Sequence, residues 1–189
     1  MLAADEFSLP FSSPQAPGQL YFQDDGATPN SPLPVLIYEL QWHAGLDRAA
    51  ALEALFARHG WVPLWRDGIF DYHHYHPNAH EALGVVSGQA RVTLGGEQGK
   101  TLVLKEGQVV ILPAGVGHCC VDSSSDFLVI GAYPKGQEGY DIERPSPRSR
   151  DAALARIAQV ALPGADPVTG QQGTLMETWR QAKPQESRR

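Results

Sequence analysis

Between Trp61 and Tyr133 the chain runs in short, apolar, β-prone segments, each stopped by glycine or a charged turn. Gly88 ends one run, and Gly95-Gly96 follows Ala90 to Leu94. Lys105-Glu106-Gly107-Gln108 separates Thr101 to Leu104 from Val109 to Leu112, and Asp122-Ser123-Ser124-Ser125-Asp126 precedes Phe127 to Tyr133. Runs this short leave no room for helices of the usual ~10–12 residues. Their spacing, about ten residues from one to the next, predicts an antiparallel sandwich or barrel. The 19 glycines and 15 prolines supply the reversals that such a fold needs, and 42% hydrophobic residues supply its core. A disordered chain is excluded.

The flanks read differently. Residues 1–31, rich in Pro, Ser, Gln and Asp with isolated aromatics at Phe7, Phe11, Tyr21 and Phe22, are expected to form an extended arm. The body is expected over 32–135, opening with a strand at Pro34 to Leu40. It includes one helix over about 47–59, with Asp47 as N-cap, Leu52, Leu55 and Phe56 on one face, and Gly60 in the left-handed terminating position. Residues 136–189 form a C-terminal extension expected to pack on the body, with a helix-like stretch from Asp151 to Val160.

Charge and length narrow the partners. A net charge of −6 makes nucleic acid and anionic membrane surfaces poor partners. The longest apolar stretch, Val109 to Gly117, is nine residues with a proline inside, where a membrane span needs ~20. Asp5 and Glu6 without nearby basic residues argue against a secretory leader. The two cysteines, Cys119 and Cys120, are adjacent and build no disulfide scaffold, so a reduced, cytoplasmic protein is expected.

Five of the seven histidines fall between His73 and His118. His74 and His76 are two apart, so on a strand they share a face. Glu81 opens the run Glu-Ala-Leu-Gly-Val-Val-Ser, in which Leu83 and Val85, its same-face neighbours, mark the inward side. His118 follows the turn-rich Pro113-Ala-Gly-Val-Gly. Three imidazoles and a carboxylate pointing into a dry interior are costly unless paired. A divalent transition ion resolves that cost, because it accepts nitrogen and oxygen donors together. His80, beside Glu81, replaces it as ligand if the preceding turn is one residue shorter. His73 is expected to face outward and His43 to be solvated.

The spacing adds specificity. The chain reads Gly68-x5-His74-x-His76-x4-Glu81-x6-Gly88, then Gly107-x5-Pro113-x-Gly115-x2-His118. Both patterns resemble the two signature motifs of the cupin superfamily. One departure is Asp122, where the second motif usually carries Asn. The flanks Trp61 to Tyr72, Asp126 to Pro134 and Leu162 to Trp179 are similar to those of uncharacterised single-domain bacterial cupins.

The resemblance implies an all-β jelly-roll barrel with an N-terminal arm and one or two peripheral helices. It also implies His74, His76, Glu81 and His118 as ligands of one divalent ion (Fe, Mn, Ni, Zn or Cu), a small-molecule ligand, and a homodimer. For the homodimer the chain supplies a reason in the aromatic-bearing arm at residues 1–31, expected to pack across a neighbour and cover an edge strand. Dioxygenase, decarboxylase and isomerase activities all occur on this fold, so the expected function is a metal-dependent enzyme on a small organic molecule, with a non-catalytic binding or sensing cupin as the alternative. A seed-storage role suits longer, duplicated chains. Tyr72, two residues before His74, is the candidate to orient a substrate or relay a proton, though a plain core aromatic is the commoner role. Cys120 is expected on the pocket wall without binding the metal, and Trp65 and Phe70 as packing residues.

Overall fold

A computed structural model describes residues 9–12 and 14–182. Among the described residues, nine strands, all paired antiparallel, form two sheets. The larger has the order β1 (Gly18–Phe22), β2 (Ser31–Glu39), β7 (Gln108–Leu112), β4 (Glu81–Ser87), β9 (Leu128–Pro134) and β3 (Trp61–Asp67). The smaller has the order β6 (Lys100–Lys105), β5 (Gln89–Leu94) and β8 (His118–Ser123). The two sheets enclose a core built from alternate residues, among them Val35, Leu83, Val85, Val92, Leu104, Val110 and Val129. Among the described residues no strand pairing closes them into one continuous barrel; the two layers are the antiparallel sandwich expected from the short runs and fit the jelly roll that the resemblance implies.

The opposite face of the six-stranded sheet carries the complementary alternation: Leu36, Tyr38, Ala82, Val109, Ile111, Ile130 and Ala132. Helices cover it. Helix α1 (Arg48–Arg58) starts where Asp47 accepts a hydrogen bond from the Ala50 backbone N–H, and it turns Leu52, Leu55 and Phe56 onto the sheet. Each of those side chains is fully buried, worth roughly 1.5–3 kcal/mol apiece. Gly84 on β4 makes room for them, since a Cβ there would meet Leu52 Cδ1 at 2.9 Å and Phe56 Cζ at 3.1 Å.

Helix α2 (Arg150–Ala158) falls in the stretch read as helical, whereas α3 (Thr174–Gln181) had no counterpart in the sequence reading. At eight residues α3 is too short to persist alone. It is held by docking: Leu175, Met176 and Trp179 are buried, and the Trp179 indole N–H donates to Pro34 O at 3.0 Å.

Part of the segment read as an arm enters the sheet. Strand β1 pairs with β2 of its own chain, and Phe11 is buried edge-on against Trp42. Residues 1–8 of that arm, with Phe7, and the tail from 183 onward lie outside the described residues. Among the described residues, no helix is long and apolar enough to cross a membrane.

Candidate metal centre

Three segments, residues 74–76 and the starts of β4 and β8, bring the polar cluster together at one end of the gap between the sheets. Residues 68–73 are irregular, and the chain then straightens through His74-Tyr75-His76. His74 and His118, at the start of β8, exchange both backbone hydrogen bonds (His74 N–H to His118 O, 3.2 Å; His118 N–H to His74 O, 2.9 Å), which sets their rings 4.0 Å apart. Tyr75 makes the same exchange with Glu143 at 3.0 Å each way, and the Gly115 N–H donates to His76 O at 2.9 Å. Held this way, Tyr75 turns to the opposite side while His74 and His76 turn inward. Gly115 has φ +94°, and a Cβ on it would collide with Asn30 O, so the turn that aims His118 requires glycine.

The imidazole nitrogens of His74, His76 and His118 lie within 4.8 Å of one another, and all three residues are buried. Each ring presents Nδ1 to a backbone carbonyl: His74 to Tyr72 O (2.9 Å), His76 to Asp141 O (2.8 Å) and His118 to Val116 O (3.1 Å). A carbonyl oxygen only accepts, so Nδ1 carries the hydrogen in each neutral ring, and Nε2 keeps its lone pair. Glu81, 2% exposed at the start of β4, sits beside two of those lone pairs, with Oε2 3.0 Å from His76 Nε2 and Oε1 3.1 Å from His118 Nε2. Both approaches are ion-pair contacts, and His76 Nε2 and Glu81 Oε1, each buried, have no other hydrogen-bond partner.

The electrostatics separate the rings. Burial, and then the neighbouring His118, depress His74 to about 3, so it stays neutral across the physiological range. Burial works against both charges of the His76–Glu81 pair. Their mutual attraction nonetheless holds His76 above the usual histidine value, and with His118 it holds Glu81 well below the carboxylate range. In the metal-free protein a proton on His76 Nε2 answers the Glu81 carboxylate, and a divalent ion would take the place of that proton.

A cavity of about 240 Å³ opens from the cluster, lined by Trp65, Phe70, Leu83, Tyr133, Tyr140 and Ile142, with Asp67 also on its wall. A larger groove of about 1140 Å³ lies elsewhere, against β1 and α2, and none of the three histidines lines it. His80 lines that groove; its Nδ1 accepts from the Ala114 N–H at 2.9 Å and its ring packs on Trp179. Glu81, not His80, faces the histidines.

Other expectations met a different geometry. Tyr72 does not line the cavity, because the strand alternation assumed for it does not extend through 68–73. Its ring stacks on Phe70, lies under Arg144 and tilts against the His74 ring at 5.5 Å, and its backbone carbonyl faces His74 Nδ1. Trp65 and Phe70, read as packing residues, line the cavity instead. Cys120 is part of the apolar core between the sheets and is not on the cavity wall; burial raises both thiols above their ordinary value. Asp122, the departure from the motif, is exposed and paired with Arg91 on the neighbouring strand.

The residue the sequence reading missed is Tyr133. Its hydroxyl donates to Glu81 Oε2 at 2.5 Å, it accepts from the Trp65 indole N–H at 2.9 Å, and its ring stacks on Tyr140 at 4.0 Å and 11°. Burial, and then the Glu81 charge, push its hydroxyl far above the usual tyrosine value, so it remains a donor. Alternation along β9 carried a signal, since Val129, Gly131 and Tyr133 share the inward face.

Comparison with known proteins agrees with this architecture. Residues 66–130 match the family model described as a cupin domain. The chain is 42% identical over 160 residues to the uncharacterized protein YjlB of Bacillus subtilis (strain 168), covering 84% of this chain and 94% of that protein. Among solved structures it is similar to an uncharacterized conserved protein with a double-stranded beta-helix domain from Klebsiella pneumoniae (15% identity, 75% of this chain, 93% of that one, TM-score 0.34). It is also similar to procruciferin, the 11S globulin of Brassica napus, of which it spans 22% (17% identity, 58% of this chain, TM-score 0.34). By the extent of its identity with YjlB and by the cupin model it matches, this chain belongs to the cupin family.

Proposed function

We propose that this cupin is a metal-dependent enzyme acting on a compact organic molecule, with His74, His76, His118 and Glu81 holding one divalent transition ion. The observation that carries the reading is the tautomer lock: three carbonyls take the three Nδ1 hydrogens, which leaves three Nε2 lone pairs and a carboxylate aimed at one another. Such a set fits a borderline ion such as iron, manganese, nickel, zinc or copper. The ion supplies Lewis-acid polarisation of a bound oxygen, or one-electron chemistry where it is redox-active.

The chain's own residues do the rest. Trp65, Phe70, Tyr140 and Ile142 form an apolar and aromatic wall, half-exposed at Phe70 and Ile142, that gives a flat substrate a surface to lie on. At about 240 Å³ the cavity is smaller than the ~300–1,000 Å³ usual for drug-sized ligands, which favours a small substrate. No lysine or arginine is among the described residues that line it, and Glu81 and Asp67 together balance the charge of a divalent ion. An uncharged molecule with oxygen donors suits such a wall better than a carboxylate that needs a basic clamp. A homodimer, implied by the family resemblance, belongs to the same proposal, and light scattering reads it.

Zinc titration of chelator-treated protein tests the metal centre. Zinc at about 100 times its Kd stabilises the fold by ~2.7 kcal/mol, or roughly 5–10 °C for a chain of this size. His76→Ala removes that shift. With metal loaded, product formation from small uncharged candidates supports the enzyme, while ligand-induced shifts without any product support a receptor.

A further inference from the structure

Glu81 has two oxygens, and the structure treats them differently. Oε2 accepts the Tyr133 hydroxyl at 2.5 Å, while Oε1, 3.1 Å from His118 Nε2, is buried with no hydrogen-bond partner. The direction of the Tyr133 bond is not free. A tyrosine hydroxyl has one hydrogen, and its oxygen accepts the Trp65 indole N–H, which only donates. Its hydrogen is therefore committed to Glu81.

The Trp65 indole is placed by a missing side chain. It lies over Gly131 on β9, where any Cβ would collide with the ring atoms Cε2, Cζ2 and Nε1. The far side of the Tyr133 ring is held by Tyr140, stacked at 4.0 Å. Trp65 and Tyr140 thus fix one phenol, and that phenol fixes one carboxylate oxygen.

From this chain of donors we infer that Tyr133 is a positioning residue, which ties down Glu81 Oε2 so that Glu81 meets the metal through Oε1 alone. The inference rests on the metal-centre reading above. A single-oxygen Glu81 keeps the protein's contribution at three nitrogens and one oxygen. A carboxylate released from Tyr133 is free to swing both oxygens toward the ion and take a position that substrate needs. Partners of this kind, one shell out from a metal, typically change metal affinity by about 10–100-fold when lost.

Three measurements on the full chain test it. In the metal-free protein, proton NMR is expected to show a slowly exchanging Tyr133 hydroxyl resonance close to the Trp65 indole N–H, absent from Tyr133→Phe. Zinc competition with a chromophoric chelator is expected to give an affinity altered by about 10–100-fold in Tyr133→Phe. Trp65→Phe, which leaves the phenol in place but frees its orientation, is expected to fall between the two and keeps the test alive if Tyr133→Phe folds poorly. A zinc-loaded crystal structure is expected to show Oε1 bound and Oε2 on Tyr133. Zinc held through Oε2 or through both oxygens, or an unchanged affinity in Tyr133→Phe, overturns the role of Tyr133 while leaving the metal centre standing. A wild-type chain that takes up no zinc contradicts the metal centre itself.

Discussion

Two carboxylates are buried among the described residues, and their surroundings are opposite. Asp166, fully buried under the helical layer, meets donors only: the Tyr38 hydroxyl at 2.7 Å on Oδ2, and the Val168 and Thr169 backbone N–H groups at 2.7 and 3.1 Å on Oδ1. Glu81 meets one hydroxyl donor, Tyr133, and the Nε2 atoms of two imidazoles. Burial raises Asp166 even though its hydrogen bonds oppose the shift, while Glu81 is held well below the ordinary range by its histidines despite full burial. A closed set of donors and acceptors is a structural clasp, here tying β2 to the loop before α3. A set left open by one cation is a site.

The largest effect that separates the two clusters is on metal binding. His76→Ala is expected to weaken zinc uptake by more than the ~10–100-fold that loss of an outer partner costs. Tyr38→Phe is expected to leave zinc affinity unchanged and instead to lower stability by about 1–3 kcal/mol, since Asp166 Oδ2 loses its donor inside the protein. Chelator competition and denaturant melts on both variants read this crossed pattern. Equal effects of either variant on both readouts would erase the distinction.

The pH dependence of the metal-free protein gives the next contrast. Glu81 is depressed in the fold, so its contribution is present above its unfolded value (~4.3) and is lost as pH falls through the folded one. Asp166 is raised, so its contribution is complete below ~3.9 and is lost as pH rises through its folded value. Glu81→Gln is therefore expected to flatten the acid side of the stability–pH curve, and Asp166→Asn to flatten the stretch just above the usual carboxylate range. The smallest effect belongs to a carboxylate outside both clusters. Asp122 is exposed and paired with Arg91, so Asp122→Asn is expected to move neither the melting midpoint nor zinc affinity measurably.

The sequence made half of this comparison legible. Glu81 was readable because Leu83 and Val85 mark its face, and because its distances to His74, His76 and two glycines follow a recognisable pattern. The short runs between glycines likewise became β4 to β9 as expected, and Asp47 capped α1. Asp166 was not readable: in Pro-Gly-Ala-Asp-Pro it looks like an exposed loop residue, and only the docking of that loop against Tyr38 buries it. Tyr133 was hidden for a related reason. Its inward face follows from alternation, but its neighbour Glu81 depends on β9 lying beside β4, a pairing across more than forty residues that no local pattern states. Tyr72 shows the converse error, where alternation was extended into a segment that is not a strand. Helix α3 escaped because its stability lies in Trp179 and its partners, not in its own eight residues.

Elemental analysis of the native protein, purified without chelator, tests the central claim most directly. The account predicts close to one transition-metal ion per chain, lost in His76→Ala. Less than about a tenth of an equivalent, with no uptake when iron, manganese, nickel, zinc or copper is added back, would contradict it.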